Sequence, residues 1–239
     1  MDESFKARLR EVKASNEKLR QQSKQFWAQT DAKAYTVPQL IDRFLSSTDT
    51  FVPEELDDVR LRSFAEDCYE HLGWSGMCQA YEHIIAEELA YCPSMYHSWT
   101  LLGATVMNDA ENLSFEERVR VAADVEAVFE RASDDDCSWE KQIAYFYYDH
   151  PLKAVQPQFY LLKSKERFER AIESEDFNEC DHHDVQVYGH VHFELGDFTT
   201  ALHWYEKLEG LEHRCEEGCF LDRTLSERRL VECQQRLAD

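Results

Sequence analysis

The chain has 239 residues, 43% of them hydrophobic and 13% aromatic, with only seven glycines and five prolines. That is enough apolar material for a sizeable core and too few turn residues for an all-β protein; recurrent Ala, Glu, Leu, Lys and Arg point to an all-α fold. A net charge of −22 excludes a nucleic-acid ligand, because phosphate backbones are bound through Lys and Arg that release counterions, and it favours basic proteins or peptides as partners.

Residues 1 to 35 carry eight basic and five acidic side chains, a net +3 that leaves −25 for the rest. In this stretch Phe5, Leu9, Val12, Leu19 and Phe26 recur at heptad-like steps, interrupted by Asn16 and Ser23, which predicts one long helix with a narrow apolar seam. Such a helix suits packing on its own body, in cis, or pairing with a second copy as a homodimer. Its charge also suits it to an acidic groove. Thr36-Val37-Pro38 then reads as a helix entrance, with Leu40, Ile41, Phe44 and Leu45 on one face of a short connector helix. Ser46 to Thr50 is a cap-rich loop, and Pro53-Glu54-Glu55 opens the next helix with acid residues at its positive end.

From residue 53 the pattern falls into helix pairs. Aromatic, acid, base and apolar residues recur in order at Tyr81-Glu82-His83-Ile84, Phe129-Glu130-Arg131-Ala132, Phe168-Glu169-Arg170-Ala171 and Tyr205-Glu206-Lys207-Leu208. First helices add Trp99, Gly103 and Val106, then Trp139, and last Val185, Tyr188-Gly189 and His192, followed by Gly196-Asp197-Phe198 and Ala201. This arrangement resembles the tetratricopeptide repeat, or TPR, family, with units at about 53–92, 94–133, 137–175 and 181–213. In that family pattern Gly189 lets two helices approach closely, while Gly73 and Gly196 end helices in a left-handed conformation. The third unit departs most, since Asp149-His150-Pro151 ends its first helix and a long connection runs to Pro157. A final helix near Thr224, with Thr224 and Glu227 at capping-box spacing, supplies a polar-backed cap.

The resemblance implies an all-α, TPR-like right-handed superhelix in three segments: 1–52, a long helix and connector; 53–213, about four helix pairs; and 214–239, a capping helix. It also implies a non-catalytic scaffold or adaptor. Repeat phase sends Tyr147 and Tyr148 to a concave groove with His183, Gln186, His190, Phe193 and Glu194, next to Met107 and Asn108. An acidic, aromatic groove of this kind suits a basic peptide or helix. Some TPR co-chaperones hold a C-terminal carboxylate with Lys, Asn and Arg, but the matching positions here are His97, Thr100, Ala104, His183, Gln186 and His190, so the clamp is missing.

No cofactor, metal or catalytic residue is expected. No Gly-rich phosphate loop or nucleophile elbow occurs. Cys180, Asp181, His182, His183, His190, His192, His203, His213, Cys215 and Cys219 fall within 40 residues, yet their spacing matches no zinc site and repeat phase spreads them over several faces. Eight scattered cysteines and the polar start Met1-Asp2-Glu3-Ser4 lead us to expect reduced thiols and a cytoplasmic chain, and no apolar run is long enough to insert in a membrane.

Overall fold

A computed structural model describes residues 3–47, 58–134, 139–211 and 223–238. Among the described residues the fold is all-α, without strands. The helices are α1 (Glu3–Gln29), α2 (Val37–Ser47), α3 (Asp58–Ala86), α4 (Cys92–Met107), α5 (Phe115–Asp134), α6 (Glu140–Asp149), α7 (Pro157–Glu173), α8 (His182–Leu195), α9 (Phe198–Gly210) and α10 (Arg223–Ala238). They form two compact units, Met1–Leu102 and Gly103–Asp239.

In the first unit α2 starts where the cap residues predict, with the Thr36 amide and hydroxyl both donating to Gln39 Oε1 at 2.9 and 3.0 Å. Its buried face of Leu40, Ile41 and Phe44 brings Phe44 onto Phe64 at 4.4 Å between ring centres, and Phe26 of α1 meets both rings edge-on at 5.8 Å. The end of α1 is thus laid on its own unit. The side chains of Phe5, Leu9, Val12 and Asn16, like the whole of Pro53-Glu54-Glu55, lie outside the described residues. α3 is broken at Gly73, whose φ of 76° with ψ of −174° belongs to a region open essentially to glycine alone. A positive φ is expected there, but it serves a kink between two helical halves rather than a left-handed cap.

The second unit is built from helix pairs. Ser114 and Glu117 make a reciprocal capping box at the start of α5, with Ser114 N donating to Glu117 Oε2 (2.9 Å) and Glu117 N to Ser114 Oγ (3.3 Å). α6 ends at Asp149 as its sequence predicts, and the connection to α7 holds a 3-10 turn, Pro151–Ala154. This turn is capped by His150, whose Nδ1 accepts from Leu152 N at 3.1 Å. α8 and α9 form a hairpin about Gly196, which takes the expected left-handed φ of 81°. At Gly189 an added Cβ would lie 3.0 Å from Tyr205 Cε1 and 3.3 Å from Trp204 Cβ, so the close approach of the two helices depends on glycine.

The four-residue motif lays out the core. Its aromatic residues, Tyr81, Phe129, Phe168 and Tyr205, are all buried, as are Ile84, Ala132, Ala171 and Leu208 three positions on, while all four acids are exposed. Residues i and i+3 share a helix face, which is why this pattern survives loops of unequal length. Around α8 the core gathers Phe168, Phe177, Val185, Tyr188, Val191, Trp204 and Leu208. A second cluster of Ala201, Tyr205, Leu230 and Cys233 joins α9 to α10. The expected final helix near Thr224 is present as α10, described from Arg223 to Ala238. No described helix is long and apolar enough to cross a membrane.

Candidate functional site

Neighbouring residues on a helix diverge by about 100°, and α6 shows the consequence. Tyr147 turns toward α7 and α5: Lys163 Nζ donates to its hydroxyl at 3.4 Å, lies 4.5 Å from its ring centre and pairs with Glu126 at 3.3 Å. Tyr148 turns instead toward α8, where its hydroxyl donates to Glu194 Oε1 at 2.9 Å. The two tyrosines therefore belong to separate surfaces.

The second surface is a cage for cations. Glu194 accepts from Tyr148, from Arg229 Nη2 of α10 at 3.0 Å and from Lys153 Nζ at 3.5 Å. Arg229 lies 4.9 Å from the Phe193 ring centre, and Lys153 Nζ lies 3.7 Å from that of Tyr148. The Tyr205 hydroxyl also stands beside Arg229, so this guanidinium is surrounded by Tyr148, Phe193, Glu194 and Tyr205. Burial pushes the Glu194 carboxyl up, but Lys153, Tyr148 and Arg229 outweigh it and hold the group below the usual carboxylate range. Burial likewise raises the Tyr148 and Tyr205 phenols, keeping both neutral, with Tyr148 donating to Glu194.

α10 enters this cage along one helical stripe. Ser226 accepts from Gln186 Nε2 at 2.9 Å, Leu230 and Cys233 are buried with Tyr205 and Ala201, and Arg236 lies 5.6 Å from the Phe198 ring centre. Positions 226, 229, 230 and 233 follow the i, i+3, i+4, i+7 anchors of a helix seated in a groove.

The nine residues predicted for one groove are dispersed by this packing. Tyr148, Phe193 and Glu194 meet at the cage. Met107 is buried, with no accessible surface for a ligand, and Gln186 and His190 are buried also, His190 against the Tyr205 hydroxyl at 2.7 Å. These three are corrections. In each case the face assigned to solvent is covered, for Gln186 by α10 itself. Asn108 is exposed at the end of α4, where its Nδ2 donates to Ala104 O at 3.0 Å. His183 is half-buried in the first turn of α8, eleven residues or about 16 Å of helix from Glu194. Arg229, Ser226 and Lys153 are the members that sequence reasoning missed. Extending the helical phase back from Leu230 and Cys233 would have turned Arg229 inward and left Arg228 outside.

The histidines of the His/Cys stretch take separate roles. His192 is buried against Tyr188 and bonded to Asp197 at 3.0 Å, while His203 is exposed. His213, Cys215 and Cys219 lie outside the described residues, and among those described no three candidate ligands converge on a metal position. The first unit holds a wider cleft of about 950 Å³ between α1 and α3, with Arg20, Lys24 and Lys33 facing Glu66, Asp67 and Glu70. Ser23 donates to Asp67 across it, so the cleft is a solvated set of opposed charges. It is larger than the cleft of about 250 Å³ between α9 and α10, but the cage carries the more selective chemistry. Comparison of the chain with protein-family models, with curated proteins and with solved structures finds no match.

Proposed function

We propose that the chain is a non-catalytic interaction module, a TPR-like array whose α8–α9 hairpin binds an arginine-bearing amphipathic helix. One observation carries the reading: Arg229 is held by the Tyr148, Phe193, Glu194 and Tyr205 cage while its helix seats Ser226, Leu230 and Cys233 alongside. A planar guanidinium stacked on a ring and bonded to a carboxylate is a selective arrangement, which lysine satisfies less well. In the described chain the occupant is α10, so the site is a helix-binding site filled in cis. The hairpin geometry supports the TPR-like assignment through Gly189 opposite Tyr205 and through the recurring buried aromatic. Cysteines without disulfide spacing support a cytoplasmic placement within the same proposal.

The test is a fluorescence titration of the full chain carrying Arg229→Ala, whose own α10 is loosened from the seat, with a labelled peptide of residues 223–238. Affinity is expected to fall as salt rises and to be lost when the chain carries Phe193→Ala with Glu194→Gln. Binding that ignores ionic strength, or that survives the double variant, contradicts the reading.

A further inference from the structure

The α8–α9 hairpin offers α10 two aromatic rings rather than one. Phe193, near the end of α8, and Phe198, the first residue of α9, flank the left-handed turn at Gly196, and their rings meet edge-on at 5.5 Å. Both rings are only half-buried. Arg229 lies 4.9 Å from the Phe193 ring centre, and Arg236 lies 5.6 Å from that of Phe198. Seven residues make nearly two full turns, so these arginines stand on one face of α10, about 10 Å apart along its axis. Leu230 and Cys233 are buried between them on the same stripe, and Arg236 Nη2 donates to Glu232 at 3.3 Å, one turn back. Arg228, next to Arg229, is exposed and donates to Thr224 O of its own helix instead. Register along the helix, and not charge alone, decides which arginine reaches a ring.

Resting on the helix-binding reading above, we infer that the partner supplied in trans is a heptad-patterned helix with the face Arg-apolar-x2-apolar-x2-Arg, and that Phe198 selects its second arginine. The cage of Tyr148, Phe193, Glu194 and Tyr205 reads the first arginine; Phe198 reads the second, two turns on. A seven-residue step returns a side chain to the same face, so this spacing belongs to amphipathic helices of coiled-coil type. A helix with one arginine, or with the second one residue out of register, engages one ring only. A planar guanidinium stacks on an aromatic face and a compact ammonium does not, so lysine at the second position is the weaker substitute. The Arg236 side chain is 60% exposed, which puts its ring contact among the weaker ones, a gain in affinity of about two- to fivefold.

The experiment titrates the full chain carrying Arg229→Ala with two labelled peptides of residues 223–238, the native one and one with Gln235→Arg and Arg236→Gln. The two peptides share composition and net charge, so only the place of the second arginine differs. The native peptide is expected to bind about two- to fivefold more tightly, and the preference is expected to vanish when the chain also carries Phe198→Ala. Equal binding of the two peptides, or a preference that persists without Phe198, overturns the inference and leaves the helix-binding reading standing. The first comparison alters the peptides and not the chain, so a folding defect of the Phe198→Ala chain would not obscure it. If the native peptide fails to bind the Arg229→Ala chain at all, the helix-binding reading falls, and the inference with it.

Discussion

His150 shows how one side chain ties local geometry to pH. Its Nδ1 accepts the Leu152 amide and its ring stacks on Tyr160 at 4.0 Å, so protonation would remove the cap and place a charge under aromatic cover. Burial pulls its pKa from 6.5 down to about 4, with Glu126 opposing and Lys163 assisting. A histidine with a depressed folded-state pKa stabilises the fold in its neutral form. Its contribution is therefore complete above 6.5 and is lost as pH falls toward 4. His192 is shifted in the same direction, again by burial, against the pull of Asp197. His150→Asn keeps a capping side chain without the titration, so urea unfolding should show a smaller loss between pH 7 and 4.5 than in the native chain; equal losses would refute the assignment. Gly189 makes a second prediction at this scale. Alanine gains about 1 kcal/mol of helix propensity, but its Cβ meets Trp204 Cβ, which is fixed to backbone, and a Tyr205 ring pinned by His190. Overpacking costs about 1–3 kcal/mol, so Gly189→Ala should destabilise by about 1 kcal/mol in equilibrium unfolding. A stabilised variant would show that the hairpin relaxes freely.

At the scale of elements, α10 is held lightly. Leu230 and Cys233 are its buried apolar side chains, and burying a leucine stabilises by about 1.5–3 kcal/mol. To this the Arg229–Glu194 contact adds a term for two side chains that are 16% and 25% exposed. A double-mutant cycle with Arg229→Gln and Glu194→Gln should give a coupling of about 1–2 kcal/mol in unfolding, whereas additive losses would mean the ion pair holds nothing. The fold was legible in the sequence wherever period and chemistry agreed. The buried aromatic and its partner three residues on, the helix end at Asp149, the turn at Gly196 and the close approach at Gly189 are all dictated by neighbours along one helix or hairpin. The site was legible only in part. Acid and aromatic groups at Tyr148, Phe193 and Glu194 were visible, but what covers them is set by α10, 35 residues beyond Glu194 at Arg229, and no local pattern reports such a long-range contact. Gln186 and His190 were misplaced for the same reason, since repeat phase says which face a residue takes and not whether another helix lies over it.

Across the whole molecule the net charge of −22 sets two salt effects against each other. Screening lengths fall to about 10 Å at 0.1 M salt, which relieves repulsion among dispersed surface acids and weakens attraction to a basic ligand. Melting temperature at neutral pH should therefore rise with added salt while peptide affinity falls, and parallel changes would show that one electrostatic term governs both. The central claim is that a helix bearing arginine is gripped by the α8–α9 cage and that α10 now occupies that place. Amide hydrogen exchange of the full chain, with and without a saturating isotope-labelled peptide of residues 223–238, tests it most directly, because the labelled peptide is distinguishable by mass from α10. The account predicts faster exchange across α10 with protection of α8 retained; unchanged α10 exchange in the peptide-bound chain would contradict it.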